Sequence, residues 1–404
     1  MGAGARPLFA PPCRVERHPG SDAPAARSAG GADPVTKAAR HGSLTVLMTT
    51  DAVGGVWSYA LALCTALPAI RFVLATMGPR AGAEQQSALA RLPNVELAES
   101  DFRLEWMAGA EQDMADSRAW LRGLALRHRA DLVHVNGYAH AALGAPCPTL
   151  AVAHSDVLSW WRAVHGVAAP EGWDAYRREV ANGLSAASAV VALTRSVAAD
   201  LETHYGFARE RSTVIPNGIE LGRFARRAKR PVVMAAGRVW DEAKNLALLD
   251  RVAPDLAWPI EIAGATAHPE RGEIAFSGAR MLGPLDPAAM ARRLNEAAIF
   301  AAPARYEPFG LAILEAAAAG CALVLGDIPS LRENWDGAAL LLPPGDDAAW
   351  REGLARLVLD KSERETVGAA ARSRAAQFGI ERTAERYAAL YRALADCAGC
   401  RDVA

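Results

Sequence analysis

The chain has no apolar run long enough to cross a bilayer. Its longest, Phe309 to Ile328, is broken by Glu315, Gly320, Gly326 and Asp327, so it reads as a helix followed by a strand. No secretory leader is expected either. Residues 1–41 carry Arg6, Arg14, Arg17, Arg27 and Arg40 among many Gly, Pro and Ala, without a leader's apolar core, and they read as a disordered tail. Cysteines are few: 13, 64, 147, 321, 397 and 400. They form no regular framework, which excludes a disulfide scaffold and suggests reduced thiols in the cytosol. Cys397 and Cys400 have the metal-binding spacing, but no second ligand pair accompanies them. Net charge is −1, so no global field favours nucleic acid. No Gly-x-Gly-x-x-Gly follows a strand-like run, which argues against hydride transfer on a dinucleotide.

What is present is a soluble, globular composition. Of 404 residues, 51% are apolar and 22% charged, enough for two or three domains. From Leu44 onward, short apolar runs alternate with amphipathic stretches. Strands are predicted at 44–49, 71–76, 95–98, 132–135, 150–153, 190–193 and 214–216, with helices at 56–67, 83–91, 117–127, 173–184 and 196–205. Arg223, Arg226, Arg227, Lys229 and Arg230 then mark a polar linker. The alternation restarts with strands at 232–236, 260–263, 274–276, 299–302, 322–325 and 340–342, and helices at 246–252, 287–297 and 308–319. Three helices close the chain, at 347–359, 363–376 and 381–395. Strands that are apolar throughout and separated by helices indicate parallel sheets covered on both faces. Two such units in series create a cleft where their strand ends face each other.

Four stretches carry candidate chemistry. In Arg305-Tyr306-Glu307-Pro308-Phe309-Gly310-Leu311, a polar turn follows a strand, and Pro308 is expected to open a helix ending at Gly320. Glu315 sits eight residues after Glu307 inside an otherwise apolar helix, where a charge needs a partner or a hydroxyl-rich ligand. Gly54 and Gly55 follow the first strand, where backbone can approach a ligand beneath a helix start, or can simply turn. His154 ends another strand and points into the cleft; Trp160, Trp161 and His165 follow, suited to sugar rings or to loop anchoring. Gly237, Arg238 and Lys244 place two cations before a helix, fit for a diphosphate, although Lys244 has Asp241 and Glu242 as alternative partners.

Together these stretches resemble the retaining glycosyltransferases of the GT-B fold, family 4 (glycosyltransferase group 1), over most of residues 44–395. Glu307-Pro308-Phe309-Gly310-Leu311 with Glu315 is similar to that family's Glu-x7-Glu motif. Gly237-Arg238 with Lys244 resembles its phosphate-binding pair, with Asn245 where a glycine is common. Val214-Ile215-Pro216-Asn217-Gly218-Ile219 resembles its Pro-Asn-Gly segment, while Gly54-Gly55 and His154 fall where it has a glycine loop and an active-site histidine.

The resemblance implies an α/β fold of two Rossmann-like domains facing across a cleft. An acceptor domain is expected over 42–222 and a nucleotide-sugar domain over 223–378, with a C-terminal helix over 379–404 packing back on the first. It implies that Glu315 binds ribose hydroxyls, that Arg238 and Lys244 neutralise the diphosphate, and that Glu307 contacts the donor sugar. Backbone N–H groups of Phe309, Gly310 and Leu311 would hold sugar or phosphate oxygens. His154 would approach the sugar from the other domain, and Gly54-Gly55 would flank phosphates and acceptor.

No Asp-x-Asp occurs, so protein cations are expected to replace a metal clamp, with no metal and no cofactor beyond the nucleotide-sugar itself. The expected partners are a nucleotide-sugar donor and a sugar, lipid-linked or small-molecule acceptor. The expected location is cytoplasmic, with peripheral contact at the inner membrane face left open and no nucleic acid. An epimerase or phosphorylase on the same fold, or a non-catalytic sugar-nucleotide binder, are the competing readings.

Overall fold

The computed structural model describes residues 44–399 apart from 53, 108, 226 and 269–271. The tail expected over 1–41, Cys13, Arg226 and Cys400 lie outside the described residues.

The first half folds into seven parallel strands: β1 (Thr45–Asp51), β2 (Arg71–Met77), β3 (Val95–Glu99), β4 (Leu132–Val135), β5 (Thr149–Ala153), β6 (Ala189–Ala192) and β7 (Ser212–Val214), in the order β3-β2-β1-β4-β5-β6-β7. Every residue of β4 and β5 is buried, as expected of central strands with helices on both faces. The second half repeats this plan with β8 (Arg230–Ala236), β9 (Ile260–Ala263), β12 (Arg280–Gly283), β13 (Ala297–Ala302), β14 (Ala322–Gly326) and β15 (Leu340–Leu342), in the order β12-β9-β8-β13-β14-β15. A small antiparallel hairpin, β10 (Ala267–His268) with β11 (Gly272–Glu273), stands apart. The architecture is thus the expected α/β pair of Rossmann-like sheets.

Some boundaries moved. Ile274–Phe276 is not a strand; the edge strand is β12, whose opening Arg280 reaches Glu261 on β9 at 3.3 Å. A charged first residue and a two-residue apolar run hid it from a hydrophobicity pattern. The helix predicted from Ser117 begins at Glu111, with Glu111 and Asp113 in its first turn. Helices Val157–His165 and Pro329–Trp335 were not anticipated.

The chain crosses between halves twice, side by side. Ile219 N–H donates to Phe378 O at 3.1 Å, and Ile380 N–H donates to Ile219 O at 2.9 Å. Gly218 lies under this crossing: a Cβ there would stand 2.6 Å from Thr383 Oγ1 and 2.8 Å from Ile380 Cα. The Pro-Asn-Gly segment therefore serves a crossover, its Pro216 carbonyl accepting from Thr383 Oγ1 at 3.1 Å. The last helix, Ile380–Gly399, then lies on the first half, burying Tyr387 and Tyr391 against Tyr59 and His134. Among the described residues no helix is long and apolar enough to cross a membrane.

Candidate active site

All four candidate stretches follow the carboxyl ends of strands: Gly54-Gly55 after β1, His154 after β5, Gly237–Asn245 after β8 and Arg305–Leu311 after β13. That common placement is a consequence of parallel topology. The two ends face each other closely. A Cβ on Gly55 would lie 3.5 Å from Leu311 Cδ1. Trp160 Nε1 donates to Asp241 Oδ1 at 3.2 Å, and Asp156 N–H donates to Tyr306 Oη at 3.3 Å. Glu333 accepts from Arg195 N–H at 2.9 Å and Ser196 N–H at 3.0 Å, closing the start of helix Arg195–Tyr205 from the opposite half.

The turn after β13 departs from expectation. Its helix spans Leu311–Ala318, so Pro308 lies before it and not at its first position. Gly310 sets the boundary: its φ of 87° belongs to the left-handed region, and a Cβ there would stand 2.7 Å from Ile313 Cδ1. Among the described residues no side chain caps this helix, so its first N–H groups are left for another acceptor. Phe309 itself is core, packed edge-on against Phe378 at 5.7 Å. Glu307 is pinned on both sides. Lys244 Nζ lies 2.5 Å from its Oε2, and Ser330 Oγ donates to its carbonyl at 2.6 Å.

Lys244 therefore pairs with Glu307 rather than with Asp241. Arg238 takes Asp241, at 2.7 Å, while half its side chain stays exposed over the Trp240 ring. Burial pushes the Asp241 carboxyl up, but Arg238, Lys244 and the Trp160 N–H outweigh it and hold the group below its usual range. Gly237 continues the strand by donating to Ala263 O at 3.0 Å. Asn245 adopts φ 54°, a left-handed value that Asn tolerates, and bonds Pro303 O at 3.0 Å and Pro344 O at 2.8 Å. Backbone shape explains why glycine or asparagine can stand there.

Glu315 is the outlier. Its carboxylate makes no hydrogen bond or ion pair among the described residues. Burial pushes its pKa up to about 7, and Arg223 offsets this only in part. Such a group suits a ligand that brings its own donors.

Across the cleft, His154 is partly buried, with Nε2 2.9 Å from Asn136 Oδ1 and its ring edge-on to Tyr59 at 4.7 Å. Burial keeps it neutral, lowering its pKa to about 3. Trp160, Trp161 and His165 pack on one another, and Trp160 also ties the two halves together. Sequence reasoning missed His134, Asn136, Tyr59, Ser330, Glu333 and the C-terminal tyrosines, and gave Tyr306 no role. Only Asn136-Gly137, a polar turn ending the apolar run of β4, carried a usable signal.

The structure thus brings Glu307, Lys244, Arg238 and the Leu311 helix start together on one wall, with Glu315 further along the same helix. His154 and Gly54-Gly55 lie on the facing half.

Comparison with known proteins bears on the family and the fold. The chain is 28% identical over 251 residues to a D-inositol 3-phosphate glycosyltransferase of Kineococcus radiotolerans, covering 52% of this chain and 58% of the relative. A protein of the same name from Kribbella flavida is 31% identical over 245 residues, covering 52% and 57%. The chain thus spans about half the length of the curated relatives it matches. Among solved structures, sucrose-phosphate synthase from Thermosynechococcus elongatus superposes with a TM-score of 0.71 at 18% identity, over 86% of this chain and 98% of the other. Anabaena HepE in complex with UDP-glucose superposes with a TM-score of 0.69 at 18% identity, over 87% and 100%. At that identity these two show a shared fold. Residues 53–223 match the model of Glycosyltransferase Family 4 and residues 230–360 that of Glycosyl transferases group 1; the chain belongs to the family 4, group 1 glycosyltransferases.

Proposed function

We propose that the protein transfers a sugar from a nucleotide-sugar donor to a hydroxyl acceptor, with retention of anomeric configuration and without a metal. One observation carries most weight: Glu315, half-hidden and without a protein partner among the described residues, lies on the helix whose uncapped start adjoins the Glu307–Lys244 pair. A ribose diol supplies the two donors that this carboxylate lacks. The diphosphate would lie over the helix start, with Lys244 and the half-exposed Arg238 balancing its charge and that of the departing nucleotide. Two fixed cations at that place make metal-free catalysis chemically reasonable. The sugar would then reach Glu307 and, from the facing half, His154.

Glu307 is assigned as a sugar ligand, not a nucleophile. Its Oε2 is ion-paired with Lys244 at 2.5 Å, which weakens the carboxylate as a nucleophile and favours the ligand role. Retention then follows from front-face attack, the leaving phosphate taking the acceptor's proton. In this assignment residues 42–222 hold the acceptor and residues 223–378 the donor, with 379–404 bracing the first. Among the described residues Cys64, Cys147, Cys321 and Cys397 are unpaired, which supports a cytoplasmic setting.

The test is a thermal-shift screen of UDP-, GDP- and ADP-sugars, begun with UDP-glucose because a fold neighbour was solved with it. A ligand at about 100-fold its Kd stabilises by roughly 2.7 kcal/mol. Donor turnover is then followed with and without EDTA, and product anomers are read by NMR. Inverted product overturns retention, and activity abolished by EDTA and restored by a divalent ion overturns metal independence. Binding without any turnover would favour a non-catalytic sugar-nucleotide binder.

A further inference from the structure

A continuous polar chain runs from the C-terminal helix to the cleft. Tyr391 Oη lies 2.6 Å from His134 Nδ1. His134 Nε2 lies 3.0 Å from Asn136 Oδ1, and the same oxygen lies 2.9 Å from His154 Nε2. His134 is fully buried between the sheet and the stacked ring of Tyr387.

The amide of Asn136 cannot be reversed. Its Nδ2 donates to the Thr49 carbonyl at 2.7 Å, and that oxygen only accepts. Its backbone N–H is held by Thr49 Oγ1 at 2.9 Å. Turning the amide over would set oxygen against oxygen at Thr49. Asn136 Oδ1 therefore accepts from both histidines, and each Nε2 must carry a proton. Turning either imidazole by half would replace Nε2 with carbon and lose that bond. Burial keeps both rings neutral, with pKa values lowered to about 3, so each carries one proton only. Nδ1 is then a bare lone pair on both rings. On His134 it accepts from Tyr391. On His154 it has no partner among the described residues.

We propose that Asn136 is a positioning residue that, backed by His134 and Tyr391, locks His154 in the Nε2–H tautomer so that Nδ1 faces substrate as a hydrogen-bond acceptor. The ligand it selects is a hydroxyl that donates, not a phosphate or carbonyl oxygen. The identity of that ligand as a sugar rests on the proposed function; the tautomer does not. The C-terminal helix thereby gains a reason to return to the first half: its Tyr391 hydroxyl donates a hydrogen bond to the unprotonated His134 Nδ1 and leaves Nε2 to donate.

The test is a histidine ring nitrogen NMR spectrum of the full-length protein near neutral pH, recorded without substrate. Both His134 and His154 are expected with protonated Nε2 and bare Nδ1. Asn136→Leu is expected to shift His154 to a tautomer mixture while His134, still held at Nδ1 by Tyr391 and with Tyr59 Oη 3.4 Å from Nε2, keeps its tautomer and only its Nε2 resonance moves. Tyr391→Phe, which removes one hydroxyl, is expected to move the His134 Nδ1 resonance toward an unbonded position and leave His154 unchanged. His154 found as Nδ1–H or doubly protonated in the unaltered protein overturns the proposal. So does an unchanged His154 in a folded Asn136→Leu variant. If that variant does not fold, an unmoved His134 resonance in Tyr391→Phe overturns the chain instead. A protein that shows this tautomer yet turns over no nucleotide-sugar upholds the lock and overturns the proposed function.

Discussion

Replacing Glu315 by Gln keeps the side chain's shape and removes its charge. Burial holds this carboxyl at about 7, against an ordinary value of 4.5. At about 1.4 kcal/mol per pH unit, that gap costs the folded state about 3 kcal/mol once the group is ionised; partial exposure makes this an upper figure. The sign follows from the raised value. Between 4.5 and about 7 the folded protein holds the proton and the unfolded chain does not, so stability rises as pH falls through that window. Above it, the ionised group opposes folding.

In urea denaturation, Glu315→Gln should therefore be more stable than the parent by up to about 3 kcal/mol at slightly alkaline pH, and no more stable once pH is below the unfolded value. Nucleotide-sugar reverses the order. A carboxylate accepting from two hydroxyls gains about 1.5–3 kcal/mol per bond, so the Gln variant should bind the donor roughly ten- to a hundredfold more weakly. Calorimetric titration reads this directly. Parallel stability curves for the two proteins across the whole range would refute the desolvation argument. Equal donor affinity would refute the ribose assignment.

Three further outcomes are expected. Lys244→Met strips the counter-charge from the partly buried Glu307; it should lower kcat by roughly a hundredfold, as loss of a transition-state cation does, and Glu307→Gln should likewise lower kcat more than it raises donor KM, both read by steady-state kinetics. Gly310→Ala forces a side chain into φ 87° with a 2.7 Å contact to Ile313, and should cost about 1–3 kcal/mol in denaturant unfolding while weakening donor binding at the displaced helix start. Glu333→Ala uncaps Arg195 and Ser196 across the interface; a cap is worth about 1 kcal/mol, so small-angle scattering should show a more open average shape.

The sequence by itself determined the architecture, because apolar runs alternating with amphipathic helices leave a parallel sheet as the only way to bury both strand faces. It placed Glu307, Lys244, Arg238, Glu315 and His154 correctly at strand ends or on the following helix, since parallel topology sends every such loop to one edge. It also read the buried charge of Glu315, because a lone carboxylate among alanines is a local signal.

Partnerships were decided only by the tertiary structure. Whether Lys244 meets Asp241, three residues away, or Glu307, sixty-three residues away, depends on the turn after β8 lying beside the turn after β13. The Leu311 start of the helix depended on the left-handed backbone of Gly310, which composition does not disclose. The polar chain from Tyr391 through His134 and Asn136 to His154 joins residues 257 positions apart at its first link. No periodicity reports such a contact. It exists because the last helix packs across the first sheet, and because buried donors and acceptors must find one another once water is excluded.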